Sequence, residues 1–118
     1  MSERPGKLVQ DRIGVHPSAW ILSDDAESVL RAVDSGIRRF MRLMLAGDFE
    51  TYESCEGGEG HSFVDPTIRF HGNRGEGVRA FAWLMAHGVE PESLRRFWQI
   101  EDGEPTGPKW EITFRAGS

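Results

Sequence analysis

The stretch SCEGGEGHSF, Ser54 to Phe63, gathers the only cysteine of the chain, His61, Glu56, Glu59 and the glycines 57, 58 and 60. Those residue types support three chemistries. In the first, Cys55 is a nucleophile with His61 as its base and Asp65 orienting the imidazole. A catalytic thiol needs positive neighbours or a helix N-terminus, whereas Cys55 stands between Glu53 and Glu56 with Glu59 close behind, so the local charge opposes this reading. In the second, Cys55, His61 and a glutamate bind a metal. Closed zinc sites take four ligands from paired short spacings, which are missing here, and a β-hairpin would carry His71 about five residues away at ~3.3 Å each. No metal and no cofactor is expected. In the third, glycine-rich turns cradle an anion. Glu56 and Glu59 would sit where the anion must go, so the better candidate is HGNRGEG, with Gly72, Arg74, Gly75 and Gly77 at the start of a helix. That turn lacks a P-loop pattern and also reads as an ordinary helix cap.

The fourth reading is structural, and the residues favour it. Cys55 ends a strand as a small buried residue, the glycines supply positive φ, and His61 folds back onto a loop carbonyl, Glu56 or Glu59. Function then belongs to the loop as a surface, with Glu53, Cys55, Glu56, Gly57, Gly58, Glu59, Gly60 and His61 as its binding residues.

The elements that hold this loop are legible as patterns. Asp24 and Glu27 have capping-box spacing, and Val29, Leu30, Val33, Ile37, Phe40, Met41 and Met44 recur at helical intervals until Gly47, which predicts one long helix. On it Arg31, Arg38 and Arg42 line the opposite, solvated side. Strands are predicted over 49–55 and 67–71, which makes the cysteine-containing stretch the loop between them. A second helix is predicted over 74–87, capped by Asn73, with Val78, Phe81, Ala82 and Met85 as its core face and Gly88 as its stop. A hairpin closes the pattern. Leu94, Trp98 and Ile100 face the core from one arm, Trp110, Ile112 and Phe114 do so from the other, and DGEPTGP connects them. Trp98 and Trp110 are thus expected to contact one another or the same helix, while Trp83 has no assigned side. The order helix, two strands, helix, two strands implies an α+β fold of four antiparallel strands with both helices on one face. Residues 1–18 read as a polar arm, with a short extended piece at 20–22, and 19–118 as one domain.

The totals narrow the function classes. A chain of 118 residues with 38% hydrophobic and 28% charged residues is a soluble globular protein of one-domain size. No apolar run approaches the ~20 residues of a membrane span and the N-terminus lacks a signal-peptide core, so a cytoplasmic location is expected and no membrane partner. A lone cysteine forms no internal disulfide. The net charge of -5 disfavours broad attraction to nucleic acid, and Asp48, Glu50, Glu53, Glu56 and Glu59 fall together with no intervening base.

The succession SC-E-GG-E-GH, then P-T-IRF, then DGEPTGP-K-W-E-ITF, over residues 54–115, resembles small uncharacterised proteins of bacteria and their phages. The resemblance implies a recurrent domain of bacterial or phage origin and brings no activity with it. The expectation is therefore a non-enzymatic binding or interaction module that presents the Cys55–Phe63 loop and the adjoining acidic strand to another protein. One form is a phage or mobile-element inhibitor whose acidic face competes for a nucleic-acid-binding surface. The rival is a small hydrolase-like or metal-dependent enzyme using Cys55, His61 and a nearby carboxylate.

Overall fold

The computed structural model describes residues 22–60 and 63–115. The polar arm, Trp20 and Ile21 of the expected extended piece, and His61 lie outside the described residues. Among those described, three α-helices pack on a four-stranded antiparallel sheet, which is the expected α+β arrangement. In chain order the elements are α1 (Asp24–Ala32), a 3-10 turn (Ser35–Ile37), α2 (Arg38–Ala46), β1 (Glu50–Cys55), β2 (Thr67–His71), α3 (Arg74–Ala86), β3 (Pro91–Glu101) and β4 (Glu104–Phe114).

The long helix expected from Asp24 to Gly47 is two helices. Its cap is Ser23, whose hydroxyl accepts from Ala26 N, and not Asp24. Helical periodicity runs on through Val33, but Asp34, Ser35 and Gly36 favour local turns over helix. At this break Arg38 Nε donates to Val33 O, and Gly36 N donates to the Glu56 carboxylate from the loop after β1. Of the arginines expected on the solvated side, Arg31 and Arg38 are exposed, while Arg42 is partly buried and pairs with Glu27 at 3.3 Å on the other helix. Val29, assigned to the core stripe, is exposed.

The strands run in the spatial order β1-β2-β4-β3, so the last strand in sequence enters the middle of the sheet. Tight pairing across β3 and β4 is set by a two-residue turn, Asp102–Gly103, with positive φ at both residues, 51° and 80°. The rest of the expected connection, EPTGP, is strand.

Ile68, Phe70, Trp110, Ile112 and Phe114 point from the sheet to the helices, where they meet Leu30, Phe40, Met44 and Leu84. Phe40 stacks on Phe114 with ring centroids 4.1 Å apart. α3 presents a face that the sequence pattern misassigns. Its buried residues are Gly77, Ala80 and Leu84, while Val78, Phe81, Ala82 and Met85 are exposed. The cause is closeness of approach. A Cβ on Gly77 would stand 2.5 Å from the Trp110 ring, so only a line of small residues lets the helix reach the sheet. Trp83 is half-buried against α2, donating from Nε1 to Leu43 O at 2.8 Å, beside Arg79, which donates to Gly47 O. Trp98 and Ile100 correct a further expectation. They do lie on the helix side of β3, but they are 59% and 69% exposed because β3 extends past the first turn of α3. Trp110 is buried beneath that turn, where its Nε1 donates to Asn73 O, so the two tryptophans do not share a buried site.

Candidate functional site

β1 and β2 pair with Cys55 opposite Thr67 and Glu50 opposite His71, which sets His71 at the far end of the hairpin from Cys55. The loop between them has a pinned base. Gly58 N donates to Val64 O at 2.8 Å, closing the loop on itself. At Gly57, φ is +80° and a Cβ would stand 2.6 Å from the Asp65 carbonyl carbon, so backbone packs directly on backbone. Cys55 is 7% exposed, and Gly57 N donates to its sulfur at 3.4 Å. Glu56 leaves the loop altogether: its Oε2 accepts from Gly36 N, 3.2 Å away, next to the start of α2. Glu53 pairs with Arg69 at 3.0 Å. What remains open is the tip, with Gly58, Glu59 and Gly60 exposed and Val64 at 84%.

Of the expected chemical set, then, Cys55 and Glu56 are engaged in holding the loop, and His61 lies outside the described residues. No group of three or more His, Cys, Asp or Glu among the described residues could hold a metal ion. At the alternative anion turn, the amides of Gly75 and Glu76 donate to Asn73 Oδ1 at 2.9 and 3.2 Å. The Glu76 side chain lies against Gly72, and Gly77 is spent on packing with Trp110. Arg74 is exposed.

The sequence reading passed over the side of the sheet that the helices leave open. The register places Glu53, Arg69, Glu111 and Arg95 abreast, one from each strand, in a single row. Their charges alternate and their atoms meet: Arg69 binds Glu53 at 3.0 Å and Glu111 Oε1 at 3.0 Å, and Arg95 binds Glu111 Oε2 at 2.5 Å. Burial by itself would raise the Glu111 carboxyl, but hydrogen bonds from Arg95 and Arg69, together with their charges, hold it below its ordinary value. The same bond raises Arg95. Arg69 is further fixed between two rings, its guanidinium 4.9 Å from Phe63 and 4.5 Å from Phe97.

A bulge at Tyr52 turns that residue to the same open side as its neighbour Glu53. Tyr52 stacks on His71 with centroids 4.5 Å apart, and its hydroxyl meets Gln99 Oε1 at 3.4 Å. Burial raises the Tyr52 phenol, against the lowering effect of Arg69. Lys109 donates to the same Gln99 oxygen at 3.0 Å and lies 4.9 Å from the Tyr52 ring centre. The signal for this face was in the alternation of the strands, where Arg69, Arg95, Phe97, Lys109 and Glu111 all occupy positions out of phase with the core residues. The arrangement is a flat, cross-linked surface of charges and rings adjoining the loop tip.

No helix among the described residues is long and apolar enough to cross a membrane. No protein-family model, no curated protein and no solved structure matches the chain.

Proposed function

We propose that the protein is a non-enzymatic binding module. Its contact surface is the Cys55–Phe63 loop with the adjoining strand β1 and open sheet face, and its partner is another protein. The observation that carries this reading is the division of labour within the loop. Cys55, Glu56 and Gly57 hold the base, while Glu59, Gly60 and the 84% exposed Val64 stand clear beside a rigid sheet. A pinned loop with an open tip loses little conformational freedom on binding.

The enzyme reading needs a reachable thiol and a carboxylate at liberty beside it. Cys55 is buried and Glu56 is tied to Gly36, which leaves the exposed Glu59 as the carboxylate at liberty and no reachable thiol beside it. The acidic-inhibitor form draws on five carboxylates, of which Glu53 and Glu56 are already engaged within the fold, so Glu50 and Glu59 are its exposed contributors.

Native mass spectrometry of the protein purified from its source cell tests the proposal. The expected result is a stoichiometric protein partner that is lost in Val64→Asp and kept in Cys55→Ser. A bound metal or small molecule that disappears in Cys55→Ser would overturn it in favour of the enzyme.

A further inference from the structure

β3 is an edge strand of eleven residues, and no strand among the described residues pairs with its outer side. Its two exposed apolar residues, Trp98 and Ile100, stand on the helix side of the sheet, and no helix among the described residues lies above them. A second uncovered apolar set lies on α3. Arg79 and Trp83 turn one flank of that helix to α2, and Val78, Phe81 and Met85 occupy the flank roughly 100–200° around from them. Because α3 packs on β3 while α2 packs on β1, this second flank is turned toward the β3 edge of the molecule.

The backbone of β3 decides which residues can pair outward. Gln99 O is turned to β4, where Thr106 Oγ1 donates to it, and Phe97 O is turned to the same strand, 3.1 Å from where a Gly107 Cβ would stand. By alternation the N–H and C=O of Arg96, Trp98 and Ile100 point away from the sheet. The charges decide the register. For antiparallel pairing of this edge with itself, centring on Trp98 sets Arg95 opposite Glu101 twice over, on the open face. Centring on Arg95 or Arg96 sets arginine against arginine, and centring on Leu94 offers Arg96 a Glu92 already bound to Arg115 and leaves Trp98 and Ile100 beyond the paired segment. Arg95 and Glu101 both have reach for a further partner, their side chains being 61% and 53% exposed.

We propose that a second copy of this chain pairs antiparallel with β3, with Trp98 on the two-fold axis, joining two sheets into one of eight strands. Main-chain hydrogen bonds then run through Trp98 and through Arg96 opposite Ile100. The overhanging Trp98 and Ile100 of one copy come under the Val78 and Phe81 flank of the other. This proposal is independent of the loop surface, which lies at the β1 end of the sheet.

Light scattering or sedimentation of the full chain from ~1 to ~100 µM reads the outcome, a range that spans ordinary dimer affinities. The wild type is expected at twice the chain mass. Ile100→Lys and Glu101→Arg are expected at 13.3 kDa with unchanged circular dichroism. In a Cys55→Ser background, Trp98→Cys is expected to cross-link on oxidation, because an axial hydrogen-bonded pair brings Cα atoms to ~5.5 Å. A wild type that stays at single-chain mass throughout overturns the proposal. So does a dimer that neither substitution disturbs, or one that cross-links from Ile100→Cys and not from Trp98→Cys.

Discussion

The two sides of the sheet are built from the same four strands and obey opposite rules. On the helix side Phe70, Trp110, Ile112 and Phe114 are packed by shape, and α3 can approach only because Gly77 and Ala80 are small. On the open side Glu53, Arg69, Glu111 and Arg95 are ordered by charge and hydrogen bonding, with aromatic rings bracketing Arg69. The first arrangement is non-directional and stabilises the fold in proportion to buried area. The second gains little net energy, since two partly buried charges must lose water to meet, but it fixes each side chain in place. Stability and surface definition are thus assigned to alternate residues of one strand.

Substitutions should separate the two sides by size of effect. Trp110→Ala removes the ring that seats Gly77 and orphans Asn73 O, and it should cost ~3–5 kcal/mol in a denaturant melt. Glu111→Gln leaves Arg69, whose side chain is 15% exposed, without its full counter-charge. A loss of ~2–3 kcal/mol is expected, the exposed Arg95 contributing little. A cost near zero would show that the charge row is ornamental to folding.

The same carboxylate gives the comparison a pH dependence. Its pKa is lowered on folding, so its contribution is fully present above the unfolded value of ~4.3 and fades as pH falls through the folded value. Thermal melts of wild type and Glu111→Gln should therefore converge in acid and diverge above about pH 5. Gly57→Ala comes next, at ~1–3 kcal/mol, because positive φ and the Asp65 backbone both oppose a Cβ. At concentrations low enough to keep the chain monomeric, Trp98→Ala should change the melting of the protein by no more than ~0.5 kcal/mol, since Trp98 is 59% exposed in the single chain. A large loss there would place Trp98 in the core after all.

The α+β order and the strand at 67–71 were legible in the sequence because alternation of Ile68 and Phe70 with polar neighbours is a local property. Asn73 was legible as a cap for the same reason. What escaped depended on distances between elements. Periodicity carries from Val33 to Ile37 and outweighed the turn residues Asp34, Ser35 and Gly36 between them, whose break is held by the contact of Gly36 with Glu56, twenty residues on. The face of α3 was misread because large apolar side chains were taken as core, whereas the sheet lies too close for them. Trp98 and Ile100 have the correct phase for burial and lack only a helix long enough to cover them. In the loop, Cys55 and Glu56 were visible as residue types, but which would be consumed by structure was set by the neighbouring turn at Gly36.

The placement of β4 between β2 and β3 has a consequence for synthesis. β2 must wait for a partner some forty residues further on, since Thr67 meets Thr113 and Phe70 meets Trp110. While the chain is being made, the β1–β2 hairpin and the helices have no central strand to lean on, and the inner edge of β2 stays unpaired. Loop closure over that separation must precede any reward from burial, so the sheet should assemble slowly and late, with β4 as its closing step. A ribosome-bound chain stalled before Glu111 would present an unpaired inner edge to its surroundings, the state in which a small antiparallel protein is most prone to aggregate.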